Sequence, residues 1–184
     1  AYIIRSKEHE MILQKETLEI SIDRKAITNL KNISFIFEKE SVSASRIQFS
    51  IHENSAIYGF GERFDSVNQY GKTVALWQRD ACEGCLASIG NQAYKNIPLV
   101  HTSDGFSFFA NTSYRMRMDV GDAVQDYLSV EALGDVFDFY IWSGTPREAM
   151  TAYGTLTGLP IFPPEWVFEP WAGGGGGRWR NGPL

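Results

Sequence analysis

Trp77, Arg79 and Asp80 stand together in the run WQRD, and these residue types can grip a sugar. An indole face lies against C–H groups, while a guanidinium and a carboxylate exchange charge-assisted hydrogen bonds with hydroxyls. The same trio also fits a plain loop ion pair beside an exposed ring, which contributes little. Cleaving a glycosidic bond asks for more: two carboxyls flanking it at roughly 5 to 10 Å. The chain has 22 acidic residues, so some pair would meet that separation by chance, and composition assigns no catalytic residue. Cys82 and Cys85 form a single C-x-x-C with no second pair and no βαβ pattern around it, which reads as two small loop residues. His9, His52 and His101 are scattered among strand-like segments, so neither a metal site nor a cofactor is expected.

Two glycine-bearing segments carry conformational rather than chemical meaning. In YGFGERF, Gly59 and Gly61 allow a backbone turn that residues with a Cβ would resist, and Glu62 beside Arg63 reads as a salt bridge closing that turn. The run Gly173 to Gly177 has no Lys-Ser or Lys-Thr after it, so it is a flexible segment and not a phosphate-cradling loop.

The elements that must position these residues are mainly strands. Leu18, Ile20 and Ile22 alternate with Glu19, Ser21 and Asp23; Ile47, Phe49 and Ile51 alternate with Gln48, Ser50 and His52; Phe137, Phe139 and Ile141 alternate with Asp138, Tyr140 and Trp142. That period of two buries one face of each strand. Short punctuation such as Asp104-Gly105 and Gly121-Asp122 then predicts two packed antiparallel sheets, a β-sandwich. One helix follows: Thr145 caps, Pro146 opens the first turn, Glu148 completes a capping box, and Gly158 with Pro160 ends it. Beyond it Trp166 to Trp171 reads as a short strand.

At 184 residues, 43% hydrophobic and 14% aromatic, the chain can bury one main core. A net charge of -5 without a basic run excludes the electrostatic footprint of a nucleic-acid binder. No apolar run is long enough to span a bilayer, and AYIIRSKEHE lacks the apolar centre of a signal peptide, which favours a cytoplasmic location. Because the first residue is Ala, a cleaved leader would leave no trace. Asn32-Ile33-Ser34 and Asn111-Thr112-Ser113 fit the glycosylation triplet, a pattern that also arises by chance.

In order and spacing, YGFGERF, WQRD, QAYKNIPL, GFSFFANTS and FDFYIWSGTPREAMTAYGTLTGLPIFPPEW resemble the N-terminal domain of glycoside hydrolase family 31, nearest its α-xylosidase and α-glucosidase branch. The likeness runs from about Tyr58 to Trp171; residues 1 to 57 share only strand character. It implies an all-β, galactose-mutarotase-like antiparallel sandwich over 1–160 with one short helix. Residues 161–184 would then be the linker and the beginning of a (β/α)8 barrel. In that family two barrel aspartates act as nucleophile and acid/base of a retaining α-glycosidase, and these are expected beyond Leu184, so the chain itself is assigned no catalytic residue.

A sandwich loop of the family reaches over the barrel mouth. By this likeness Asp80 would accept hydrogen bonds from substrate hydroxyls, Arg79 would orient it or touch the sugar, and Trp77 would stand beside them. ACEGCLASIGN is longer than expected for a near relative, so its tip would shape a different subsite. Tyr94, Lys95, Asn96 and Pro98 are better read as structural, with Asn96 in a turn and Pro98 starting a strand. The expected partners are an α-linked oligosaccharide or glycoside, the C-terminal barrel and, through the barrel-facing aromatic surface around Trp166, Trp171 and Trp179, a second copy of the chain. Two other readings stay open: a stand-alone carbohydrate-binding module with Trp77 and Trp142 as platform, and a sugar mutarotase using His52 and His101.

Overall fold

The computed structural model describes residues 1–5, 10–17, 19–22, 25–78, 93–135 and 138–171. These resolve into two compact units, Ala1–Thr151 and Ala152–Leu184.

Among the described residues the first unit holds twelve strands: β1 Tyr2–Arg5, β2 Glu10–Leu13, β3 Glu19–Ile22, β4 Lys25–Glu38, β5 Ser41–Ser50, β6 Ile57–Gly61, β7 Lys72–Leu76, β8 Asn96–Thr102, β9 Phe106–Ala110, β10 Met116–Val120, β11 Tyr127–Leu133 and β12 Phe139–Ser143. They form an eight-stranded sheet in the order β1-β2-β3-β4-β5-β11-β10-β7 and a four-stranded sheet in the order β12-β9-β8-β6. Every pairing between these named strands is antiparallel. The expected all-β antiparallel sandwich is therefore the observed fold.

Alternation in β5, β10 and β11 sends Ile47, Phe49, Met118, Leu128 and Val130 inward, where each is almost wholly buried. They meet Ile57, Phe60, Val100, Phe106 and Phe108 of the smaller sheet in one continuous core. Phe49 stands at the join, its ring 5.2 Å from Phe108, 6.2 Å from Phe139 and 6.4 Å from Phe106, all tilted or edge-on, as aromatic quadrupoles favour. The other face of the smaller sheet carries a second aromatic row, with Phe109 stacked on Tyr140 and Tyr140 on Trp142.

Strict alternation fails in β3. Ile20 and Ser21 are both buried, because the register with β4 shifts between them and turns two consecutive side chains away from solvent. Leu18, Asp23 and Phe137 lie outside the described residues.

Helix α1 runs Pro146–Thr157. Its capping box is formed: the Thr145 N–H donates to Glu148 Oε2 at 2.8 Å and the Glu148 N–H to Thr145 Oγ1 at 3.3 Å. The Thr145 N–H and the Thr145 hydroxyl, both donating to Glu148 Oε2, hold the Glu148 carboxyl below its usual range. Gly158 ends the helix at φ 97°, a conformation that suits glycine, with its N–H on the Gly154 carbonyl.

In the second unit the expected strand over Trp166 to Trp171 is instead a 3₁₀ turn, Glu165–Phe168. Local contacts explain the difference. Trp171 folds back to donate to the Val167 carbonyl at 2.9 Å and packs 5.4 Å from Trp166, and no described strand lies alongside to supply a ladder.

Candidate functional site

Strand β7 ends at Leu76, whose side chain is in the core, and the next residue, Trp77, is half exposed at 51%. A cleft of about 260 Å³ opens there, lined by Trp77, Gln78, Asn96, Pro98, Thr112 and Tyr114 among others. Tyr114 is also exposed, so two aromatic residues border one depression of mixed polar and apolar lining. The Tyr114 ring lies over Gly134, where an added Cβ would stand 3.2 Å from Cε2, and its backbone N–H is tied to Thr112 Oγ1 at 3.2 Å. Sequence reasoning missed Tyr114; the glycine that makes room for it is 20 residues away and follows a different strand.

The segment 79–92, which includes Arg79, Asp80, Cys82 and Cys85, lies outside the described residues. Its two anchors are described. Gln78 and Ala93 pair in an isolated parallel bridge at the edge of the cleft. Asn96 reinforces it, donating through Nδ2 to the Ala93 carbonyl at 2.9 Å, while Gln78 Nε2 reaches the Asn96 carbonyl at 3.4 Å.

Beneath the bridge lies Arg63. Its Nη2 donates to Asn96 Oδ1 and, at 3.4 Å each, to the carbonyls of Phe60 and Ala75. The expected Glu62–Arg63 salt bridge is therefore corrected: the guanidinium is taken up instead by acceptors on β6, β7 and β8. Burial lowers the Arg63 pKa, an effect opposed by the nearby Asp65 carboxylate. Glu62 Oε2 and Arg63 Nε are buried with no hydrogen-bond partner among the described residues. The turn assigned to Asn96 is likewise corrected, since Asn96 opens β8 and Pro98 is its third residue.

What brings Arg63 here is the backbone of YGFGERF. Gly59, Phe60 and Gly61 all have positive φ, at 114°, 67° and 79°. A Cβ on Gly59 would lie 2.2 Å from the Leu99 carbonyl oxygen, and one on Gly61 2.1 Å from that of Lys95. Both positions thus exclude every residue but glycine. Phe60 takes a left-handed conformation costing about 1–2 kcal/mol, offset by complete burial of its ring. The register shift between Gly59 and Gly61 bends β6 and delivers Glu62 and Arg63 under the bridge.

A second network braces the following turn. Asp65 accepts from Lys72 Nζ at 2.8 Å, from Gln69 Nε2 at 3.0 Å and from the Ser66 N–H at 2.8 Å. Partial burial pushes its pKa up, but these donors outweigh that and hold it at about 2.

The histidines do not converge. His101 is buried in β8 with Nδ1 2.8 Å from Ser107 Oγ, and burial lowers its pKa. His52 lies in another depression beside Asp104, whose carboxylate caps the His52 N–H and the Ser55 hydroxyl. Trp142 lies in the stacked row of the smaller sheet, not at the Trp77 cleft. Among the described residues no group of three His, Cys, Asp or Glu could hold a metal ion.

Comparison with known proteins agrees with this architecture. Residues 1–119 match the family described as "Glycosyl hydrolase 31 N-terminal galactose mutarotase-like domain". Alpha-xylosidase XylQ of Lactiplantibacillus pentosus is 34% identical over 131 residues, which are 71% of this chain and 16% of that protein. An alpha-xylosidase of Emericella nidulans is 26% identical over 136 residues, again 16% of its length. The chain therefore spans about a sixth of these relatives. Among solved structures, the cycloalternan-forming enzyme of Listeria monocytogenes in complex with pentasaccharide substrate superposes at a TM-score of 0.78, with 19% identity, over 90% of this chain and 17% of that one. At that identity the likeness concerns the fold.

Proposed function

The chain belongs to the glycosyl hydrolase 31 N-terminal galactose mutarotase-like domains, and from that premise we propose that it is the accessory, non-catalytic part of a retaining α-glycosidase of α-xylosidase or α-glucosidase type. Its division of labour would follow the sequence: residues 1–160 form the sandwich, 161–184 lead into the catalytic barrel, and Trp77, Arg79 and Asp80 serve the substrate mouth. The single observation that carries the reading is the Gln78–Ala93 bridge, which clamps both ends of the WQRD-bearing segment at the rim of an aromatic cleft. A segment held at both ends would present its residues to a ligand with less ordering cost than a free loop. Asp80 would accept substrate hydroxyls, Arg79 would orient that carboxylate, and Trp77 with Tyr114 would flank the sugar.

Support also comes from the second unit. Leu159, Ile161, Phe162, Trp166, Phe168 and Trp171 are all strongly exposed there, an apolar concentration that suits a surface made to be covered. In the isolated chain the same surface would drive association with a second copy. The purified 184-residue chain is therefore expected to leave aryl α-xylosides and α-glucosides intact and to associate as its concentration rises in light scattering. Turnover that copurifies with the chain would overturn the non-catalytic assignment.

The pairing of Trp77 with Tyr114 on one cleft gives the binding-module reading a specific foothold. That reading expects saturable Trp77 quenching by oligosaccharide in the isolated chain, whereas an accessory domain expects none at that ring without the barrel.

A further inference from the structure

We infer that the solvent-facing side of β5, β11 and β10 carries a separate binding site for a neutral, polyhydroxylated ligand, a short oligosaccharide. A cleft of about 220 Å³ lies on that face, lined by Arg46, Gln48, Arg117, Tyr127, Ser129 and Glu131 among others. Strand register builds it. Arg46, Glu131 and Arg117 are direct cross-strand neighbours in one row, and Gln48, Ser129 and Asp119 form the next. Strands are about 4.8 Å apart, so a ligand about 10 Å long meets groups from all three.

Three features separate this cleft from an ordinary solvated sheet face. Arg46, Gln48, Asp119, Tyr127, Ser129 and Glu131 are half-buried, and the exposed turn at Ala123 and Val124 walls one end. Asp119 fixes that wall by accepting the backbone N–H groups of Asp122 and Ala123. The charges also cancel, two arginines against Glu131 and Asp119, which disfavours an anion and suits an uncharged ligand.

Donors and acceptors remain to be used. Both bonds from Arg46 go to Glu131 Oε2, leaving Glu131 Oε1 open, and the side chains of Arg117, Gln48 and Ser129 and the Tyr127 hydroxyl make no hydrogen bond among the described residues. The Tyr127 ring, with the Lys31 ammonium 5.9 Å from its centroid, offers a flat apolar surface for sugar C–H groups. Mixed donors and acceptors around one aromatic face are the chemistry of saccharide recognition. This site does not depend on Asp80 or on the role of the 79–92 segment.

The test is a titration of the full 184-residue chain with maltotriose up to about 20 mM, a range that covers weak binding, read residue by residue in backbone amide NMR. The expected result is saturable shifts at residues 46, 48, 117, 127, 129 and 131 that survive Trp77→Ala and weaken at least about tenfold in Tyr127→Ala or in Arg117→Ala. Arg117 is exposed, so its variant keeps the test meaningful should Tyr127→Ala disturb the sheet. Absence of saturable shifts at those amides overturns the proposal. So do shifts confined to the Trp77 cleft, or a stronger response to citrate than to maltotriose.

Discussion

Two clefts of the sandwich, one beside Trp77 and one on the face of β5, β11 and β10, are made in opposite ways. The cleft beside Trp77 rests on exceptions to regular structure: three successive positive φ angles, a bulge, a half-buried arginine and an isolated bridge. The cleft on β5, β11 and β10 rests on regularity, since unbroken register alone lines up its rows. Strained backbone persists only where its surroundings over-determine it, and such places gather at functional sites. The contrast supports the specialised role proposed for the Trp77 edge, beside the broader, weaker contact role proposed for the sheet face.

The sharpest way to break this comparison is to relax the exception. Gly61→Ala puts a Cβ within 2.1 Å of the Lys95 carbonyl oxygen, where no side chain can yield. It is expected to cost about 4 kcal/mol or more, or to prevent folding, as measured by urea unfolding. A loss below about 1 kcal/mol would mean that this backbone is not held as described.

Next comes the arginine beneath the bridge. Arg63→Met keeps the aliphatic packing but removes the Arg63 donor from Asn96 Oδ1 and the guanidinium that ties β6, β7 and β8 together. A loss of about 2 kcal/mol is expected, with faster hydrogen exchange concentrated at residues 93–96. Uniformly faster exchange over the whole sheet would contradict a local clamp.

The smallest effect is in acid. Asp65 has a folded pKa of about 2 against an ordinary 3.8, so the folded form stays ionised where the unfolded chain takes up a proton. Its contribution is thus complete above the unfolded value and fades as pH falls from about 4 towards 2. Because the carboxylate is partly exposed, the effect is about 1 kcal/mol or less. Asp65→Asn should flatten the fall in stability across that window, and an unchanged slope would remove the Lys72 and Gln69 network from the account.

These regions also differ in how much of them could be read from the residues. The sandwich was legible because Ile47, Phe49 and Ile51 obey a period of two that burial enforces, and the helix because Thr145, Pro146, Glu148 and Gly158 are local signals acting over one turn. Gly59 and Gly61 announced an unusual turn, but not where it would send Arg63, since the partners on Asn96, Ala75 and Phe60 come from three strands. Tyr114 and the row of Arg46, Glu131 and Arg117 depend on which strands become neighbours, which no local pattern encodes. The strand expected at Trp166 to Trp171 failed for the same reason: residues apt for a strand form one only when a partner edge is present. Family likeness supplied what periodicity could not, namely the interest of Arg79 and Asp80.

The central claim is that this domain lends a carboxylate to a reaction carried out elsewhere in the enzyme. The most direct measurement is kcat/KM of Asp80→Ala in the full-length enzyme on an aryl α-xyloside or α-glucoside. Loss of a charge-assisted hydrogen bond to a sugar hydroxyl predicts a fall of about 10- to 150-fold, equivalent to about 1.5 to 3 kcal/mol, with the fold stability unchanged. A kcat/KM equal to that of the unaltered enzyme would contradict the claim.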